Sequence, residues 1–147
     1  MDKRLNIILV EDDDDHAELT TYNLNKKDVA REIKRAKDGE EALELFYSFE
    51  KGNGENFPDI ILMDLNIPKI DGIELLKALK KSRKLRIIPV IVLTTSNSVR
   101  DKQRAYDNYA NSYIVKSMDY DEFSQTVEDL GVYWGRRNQF VSSREQA

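Results

Sequence analysis

The chain has 147 residues, enough for one domain with one real core and too few for that domain plus a separate output domain. Hydrophobic residues make up 40% and charged residues 34%, which fits a globular protein rather than a disordered one, and a net charge of −4 argues against a nucleic-acid footprint. The absence of cysteine excludes disulfides and thiolate metal sites and suits a reducing cytoplasm.

The first apolar run, residues 6–10, meets Glu11 and then four aspartates, Asp12 to Asp15. Such a segment is neither a signal peptide nor a membrane span. It reads as a strand leading into a helix. Asp13 to Asp15 suit that helix's start, where carboxylates accept from free N–H groups and meet the positive end of the dipole. His16, the only histidine, reads as an exposed residue of this helix rather than as part of a Ser-His-Asp site.

Residues 33–36 give a second short strand. In the helix over 40–49, Ala42, Leu43, Leu45, Phe46 and Phe49 recur at spacings of three and four. The stretch 51–58, KGNGENFP, is a surface loop by its glycine and asparagine content. A third strand over 59–63 stops at Asp64, and Ile73, Leu76, Ala78 and Leu79 stripe the next helix. The fourth strand, 90–94, ends in Thr94-Thr95, and the fifth, 112–115, ends in Lys116. Phe123, Val127, Leu130 and Trp134 form the core face of a last helix over about 121–134. Gly135 then reads as a helix stop, so the domain is expected over residues 1–135, with a mobile tail over 136–147 in which Phe140 and Val141 could still find packing. There is no internal repeat. Strand–helix alternation with short links predicts a parallel α/β sandwich with right-handed crossovers.

In such a sheet, ligands bind beyond the carboxyl ends of the strands. Glu11, Asp12, Asp64, Thr94 and Lys116 then face one crevice. Crowded carboxylates raise one another's pKa unless a cation joins them. A hard, all-oxygen set suits Mg²⁺, which binds through one or two carboxylates, waters and phosphate oxygens. With metal and ammonium neutralising charge, a carboxylate oxygen can attack phosphorus in line and form an acyl phosphate. Other readings of the acids fail on spacing. A calcium loop begun at Asp12 has His16 at its fifth place and no glycine following, and no dinucleotide or Walker glycine motif is present.

The segments ILVED, DIILMDLNIPKIDGIELL, PVIVLTTS and ANSYIVK, in this order and spacing, resemble the receiver domain family of two-component response regulators over roughly Leu5 to Trp134. The resemblance implies a five-stranded, doubly wound (βα)5 flavodoxin-like fold with strand order 2-1-3-4-5. It implies Asp64 as phospho-acceptor, Glu11 and Asp12 as the acidic metal pair, and the backbone carbonyl of Asn66 as a third protein ligand of Mg²⁺ beside Asp64. Thr94 matches the switch hydroxyl, Tyr113 the switch aromatic and Lys116 the motif's lysine, while Pro68 and Asp71-Gly72 match the turn after the acceptor. The implied function is a stand-alone, cytoplasmic response regulator that receives phosphate from a sensor histidine kinase, contacts neither nucleic acid nor membrane, and is an enzyme only toward its own phosphate. VLTTS, DLNIPKIDG and ANSYIVK are similar to the small regulators paired with bacterial phytochrome-type kinases.

Some positions depart from the family pattern. Ser117 stands where proline usually follows the lysine, which puts a cis bond there in doubt, since cis costs about 3–4 kcal/mol before a non-proline residue. Tyr109 stands where glycine is usual, and Asn108 is the expected left-handed cap in its place. A Mg²⁺-dependent aspartyl-nucleophile phosphatase is the alternative function, disfavoured because Asn66 stands where that class wants a second acid. A phosphate-independent adaptor is a further alternative. Tyr106, Tyr109, Tyr120 and Tyr133 add aromatics near the last helices, so a homodimer through helix 4, strand 5 and helix 5 is expected.

Overall fold

The computed structural model describes residues 4–141. Of the tail expected over 136–147, residues 142–147 lie outside the described residues. Strands β1 (Leu5–Val10), β2 (Ala30–Ala36), β3 (Ile60–Met63), β4 (Val90–Thr94) and β5 (Ser112–Val115) alternate with helices α1 (Asp14–Lys26), α2 (Gly39–Lys51), α3 (Gly72–Lys81), α4 (Val99–Asp107) and α5 (Tyr120–Val132). All pairings are parallel, in the order β2-β1-β3-β4-β5.

The apolar runs of β1, β3 and β4 are unbroken because both faces of these strands are covered. Side chains alternate across a strand. Ile8, Val10, Ile61, Met63, Val90 and Val92 therefore join one core layer, with the buried faces of α2 and α3 and Ala105 of α4. Ile7, Leu9, Ile60, Leu62, Ile91 and Leu93 join the other, with α1 and α5. β2 starts at Ala30 rather than at residue 33. Its AREIKRA sequence has no apolar run, because this edge strand is largely exposed and the backbone ladder with β1 defines it.

The C-terminal end also differs from expectation. Gly135 does not stop the helix. A π-helical turn, Tyr133–Arg137, carries the chain past it. A Cβ on Gly135 would meet Val29 Cβ at 3.0 Å, so glycine there permits close approach to the residue before β2. Trp134 and Phe140 pack on the α1/α5 core layer, and Arg136 donates to the Lys27 carbonyl at 2.7 Å.

At the end of α4 the left-handed residue is Tyr109, with φ 68°, not Asn108. The Tyr109 N–H reaches the Tyr106 carbonyl and the Ala110 N–H the Ala105 carbonyl, both at 3.0 Å. This is the Schellman pattern, whose C′ position favours glycine. Asn108 instead sits one place earlier and donates its side-chain amide to the Arg104 carbonyl at 2.8 Å. A left-handed residue with a Cβ is strained by about 1–2 kcal/mol, and Tyr109 is 72% exposed, so its ring buries little in return. Tyr109→Gly is therefore expected to stabilise the fold by about 1 kcal/mol. Urea unfolding would read this as a higher midpoint; a lowered midpoint would mean that the ring contributes more than the strain costs.

Candidate functional site

The sheet order places the C-terminal ends of β1 and β3 side by side, with β4 and β5 beyond. Hydrogen bonds hold the residues that follow. Glu11 N–H reaches Ala36 O at 3.0 Å, Asp64 N–H reaches Val10 O at 3.0 Å, and Lys116 N–H reaches Thr94 O at 2.7 Å. The Lys116–Ser117 peptide is trans, as are all peptides among the described residues.

The Lys116 ammonium is almost wholly buried and donates to Glu11 Oε1 and, at 3.0 Å, to Asp64 Oδ2. The opposite oxygens are oriented by backbone. Glu11 Oε2 accepts from Asp13 N–H at 3.2 Å, and Asp64 Oδ1 from Asn66 N–H at 3.1 Å. Asp12 is exposed at the rim. Carboxylate oxygens of Glu11, Asp12 and Asp64 lie within 4.8 Å of one another. Two ligands on one Mg²⁺ sit about 3–4 Å apart in octahedral geometry, so this donor set can close around a single ion with small adjustment. Burial pushes the Glu11 carboxyl above the ordinary glutamate range, and the Lys116 hydrogen bond and charge pull the other way. A cation beside these oxygens would favour the ionised form that burial opposes.

Two further features shape this edge. A Cβ on Gly72 would lie 2.7 Å from Leu65 Cα and 3.0 Å from the Asp64 carbonyl oxygen, so only glycine lets α3 start this close behind the end of β3. Asp71 caps α3 by accepting from Glu74 N–H at 3.0 Å.

Thr94 is fully buried, and its hydroxyl oxygen accepts from Ser96 N–H at 3.4 Å. Tyr113 is half-buried and donates its hydroxyl to the Ser96 carbonyl at 2.9 Å. Ser96 therefore joins the two side chains. Burial raises the Tyr113 phenol above its usual range.

Two residues near the site were not assigned to it from sequence. His16 was expected to be an exposed helix residue. It is half-buried, with Nδ1 3.0 Å from Lys116 Nζ and its ring stacked on Phe123 at 5.8 Å. Arg35 reaches across from β2, donating Nε to the Glu11 carbonyl at 3.0 Å and pairing with Asp14 at 2.8 Å, which ties down the loop that carries the acids. No local motif marks either residue. Tyr120, expected at a face made by α4, β5 and α5, lines a cavity of about 550 Å³ beside α1, together with His16, Leu19, Tyr22, Lys116 and Phe123.

Comparison with known proteins agrees with this geometry. The sequence profile of the family described as "Response regulator receiver domain" matches residues 7–128. The chain is 41% identical over 128 residues to the probable methanogenesis regulatory protein FilR2 of Methanothrix harundinacea, covering 87% of this chain and 82% of that one. It is 34% identical over 130 residues to the response regulator Rcp1 of Synechocystis, covering 87% of each. The Mn²⁺-bound form of response regulator Rcp1 superposes with a TM-score of 0.80 at 31% identity, over 92% of this chain and 97% of that one. The phosphorylated cyanobacterial phytochrome response regulator RcpA superposes with a TM-score of 0.82 at 34% identity, again over 92% and 97%. Among the described residues, no helix is long and apolar enough to cross a membrane.

Proposed function

Because this chain belongs to the response regulator receiver domain family of two-component signalling, we propose that it takes a phosphoryl group from a histidine kinase onto Asp64, at a Mg²⁺ site made by Glu11, Asp12, Asp64 and the Asn66 carbonyl. The observation that carries this reading is the buried Lys116 ammonium against Asp64, beside three carboxylates close enough to share one ion. The similar Rcp1 fold is known in a Mn²⁺-bound form and RcpA in a phosphorylated form, which supports a divalent cation and a phospho-aspartate here. Bound Mg²⁺ would neutralise charge on the phosphoryl oxygens.

In the transfer, a carboxylate oxygen of Asp64 forms a bond to phosphorus as the bond from phosphorus to the donor breaks and the donor leaves with that electron pair. Lys116 turns a donor to a phosphoryl oxygen, and Thr94 donates its hydroxyl to another. Drawing Thr94 toward the phosphate disturbs Ser96, which holds Tyr113. The aromatic then repacks, giving two surfaces of different partner affinity. Acetyl phosphate with Mg²⁺ is expected to add one phosphoryl mass that hydroxylamine removes; no uptake in Mg²⁺ would refute the assignment. Turnover of small phosphomonoesters would instead favour the phosphatase alternative.

Asp12→Ala is expected to weaken Mg²⁺ binding by about tenfold or more and to slow phosphorylation in proportion, since Asp12 is the exposed acid that completes the set. Isothermal titration would read the first and acetyl phosphate labelling the second; unchanged Mg²⁺ affinity would remove Asp12 from the site.

The reading of partners extends to a phytochrome-type kinase and to a symmetric homodimer through α4, β5 and α5. Tyr106 and Val115 are exposed on α4 and on the edge strand β5. Sedimentation velocity is expected to show a dimer for the wild type and a monomer for the Tyr106→Glu, Val115→Lys double variant. A wild-type monomer at the highest concentrations, with and without a phosphate mimic, would rule the dimer out.

A further inference from the structure

Lysine's ammonium has three N–H donors and no acceptor. The Lys116 side chain is 1% exposed, so its donors need partners within the protein. Two of them meet Glu11 and Asp64. The third meets Nδ1 of His16, 3.0 Å away.

We infer that His16 is a positioning residue for the phosphorylation site, supplying through its Nδ1 lone pair the third acceptor that aims the Lys116 ammonium at Asp64. The inference rests on the proposed role of Asp64 and Lys116.

An ammonium only donates, so the inferred bond needs Nδ1 as its acceptor and the ring proton on Nε2; the Asp13 carboxylate, 4.0 Å from Nδ1, lies beyond hydrogen-bond reach. The ring stacks loosely against Phe123 of α5, with centroids 5.8 Å apart and planes at 29°. α1 supplies the acceptor, α5 the surface that orients it, and β5 the lysine. His16 and Lys116 are 100 residues apart in the chain. The cavity of about 550 Å³ beside them accounts for the need. Lys116 and His16 both line this cavity, with Leu19 and Tyr22 of α1 and Phe123 of α5. Without a fixed acceptor there, the third donor turns toward cavity water and the ammonium samples positions away from Asp64. When a phosphoryl group arrives and Lys116 redirects one donor to it, the bond to His16 keeps the ammonium from following the phosphate outward.

The chemistry of the side chain provides the test. Leucine fills the ring's place, excludes water and accepts nothing. Asparagine places its Oδ1 near the position of Nδ1 and restores an acceptor. His16→Leu is expected to phosphorylate from acetyl phosphate about tenfold more slowly than wild type, the loss of one hydrogen bond to a charged group. His16→Asn is expected to recover most of the rate. Thermal melts of both variants would show whether they remain folded. An independent reading is the ¹⁵N spectrum of the wild-type imidazole, expected to show Nδ1 unprotonated and to change when Lys116→Met removes its partner. Equal rates for wild type and a folded His16→Leu would overturn the inference. So would a His16→Asn as slow as the leucine variant, or a proton found on Nδ1. Labelling of wild type but not of Asp64→Asn would show that the underlying site reading stands whichever way His16 falls. If wild type itself takes no phosphate, that reading fails and the role of His16 falls with it.

Discussion

Asp64→Asn is expected to take up almost no phosphoryl group. The substitution keeps the side chain's size and its place at the end of β3, where the backbone N–H bonds to Val10 O at 3.0 Å. It removes the anionic oxygen, and a neutral amide oxygen is a far poorer nucleophile toward phosphorus. It also reduces the candidate metal set from three carboxylates to two and leaves Lys116 with Glu11 as its only carboxylate partner. These losses act in one direction. The expected fall in acetyl phosphate labelling is at least about a hundredfold, in the range seen when a nucleophile is deleted. Intact-mass measurement checks it. A variant that labels at the wild-type rate, with the label mapped to another aspartate such as Asp12, would move the acceptor elsewhere.

Removal of the cation from the same pocket should be as visible in stability as in chemistry. Lys116→Met keeps an unbranched stem and takes away the charge. Glu11 and Asp64, 3% and 7% exposed, then face each other with no ammonium between them. Breaking a buried ion pair from one side costs about 3–5 kcal/mol, because the remaining charge is left desolvated. Protonation of Glu11, which burial already favours, limits the loss, so about 3 kcal/mol at neutral pH is expected. Mg²⁺ should return part of this by replacing one cation with another. Urea unfolding of Lys116→Met in chelator and in excess Mg²⁺ tests both halves. Full stability in chelator would mean that the lysine contributes nothing net to the fold, and indifference to Mg²⁺ would argue that the three acids do not share an ion.

The parallel α/β class and the residues at the sheet's carboxyl edge were legible from the amino acids, while the strand order came from the resemblance to receiver domains. In a parallel sheet every strand delivers its last residue to the same side. Glu11, Asp64, Thr94 and Lys116 therefore had to converge once the alternation of strands and helices was recognised, although they are spread over more than a hundred positions. The three central strands announced themselves as unbroken apolar runs because both faces are covered.

Edges were less legible. β2 is half polar and exists by pairing with β1, so its first three residues carried no apolar signal. The end of α4 shows the same limit, since propensity favours Asn108 for the left-handed place while the hydrogen bonds to Ala105 and Tyr106 put Tyr109 there. Gly135 has the composition of a helix stop but serves as a close contact for Val29, a neighbour visible only once α1 and β2 are folded beside α5.

The sequence by itself determined the fold class, the edge on which the candidate site sits and the identity of the acids and the lysine there, because periodicity and strand ends are local properties of the chain. Tertiary structure alone decided that His16 closes the third side of the Lys116 ammonium and that Arg35 anchors the loop of acids. Those contacts join segments 100 and 24 residues apart, across helix and strand faces whose partners no local pattern specifies. A side chain's hydrogen-bond partner is fixed by the packing of the elements that carry both ends, and that packing is a property of the whole core.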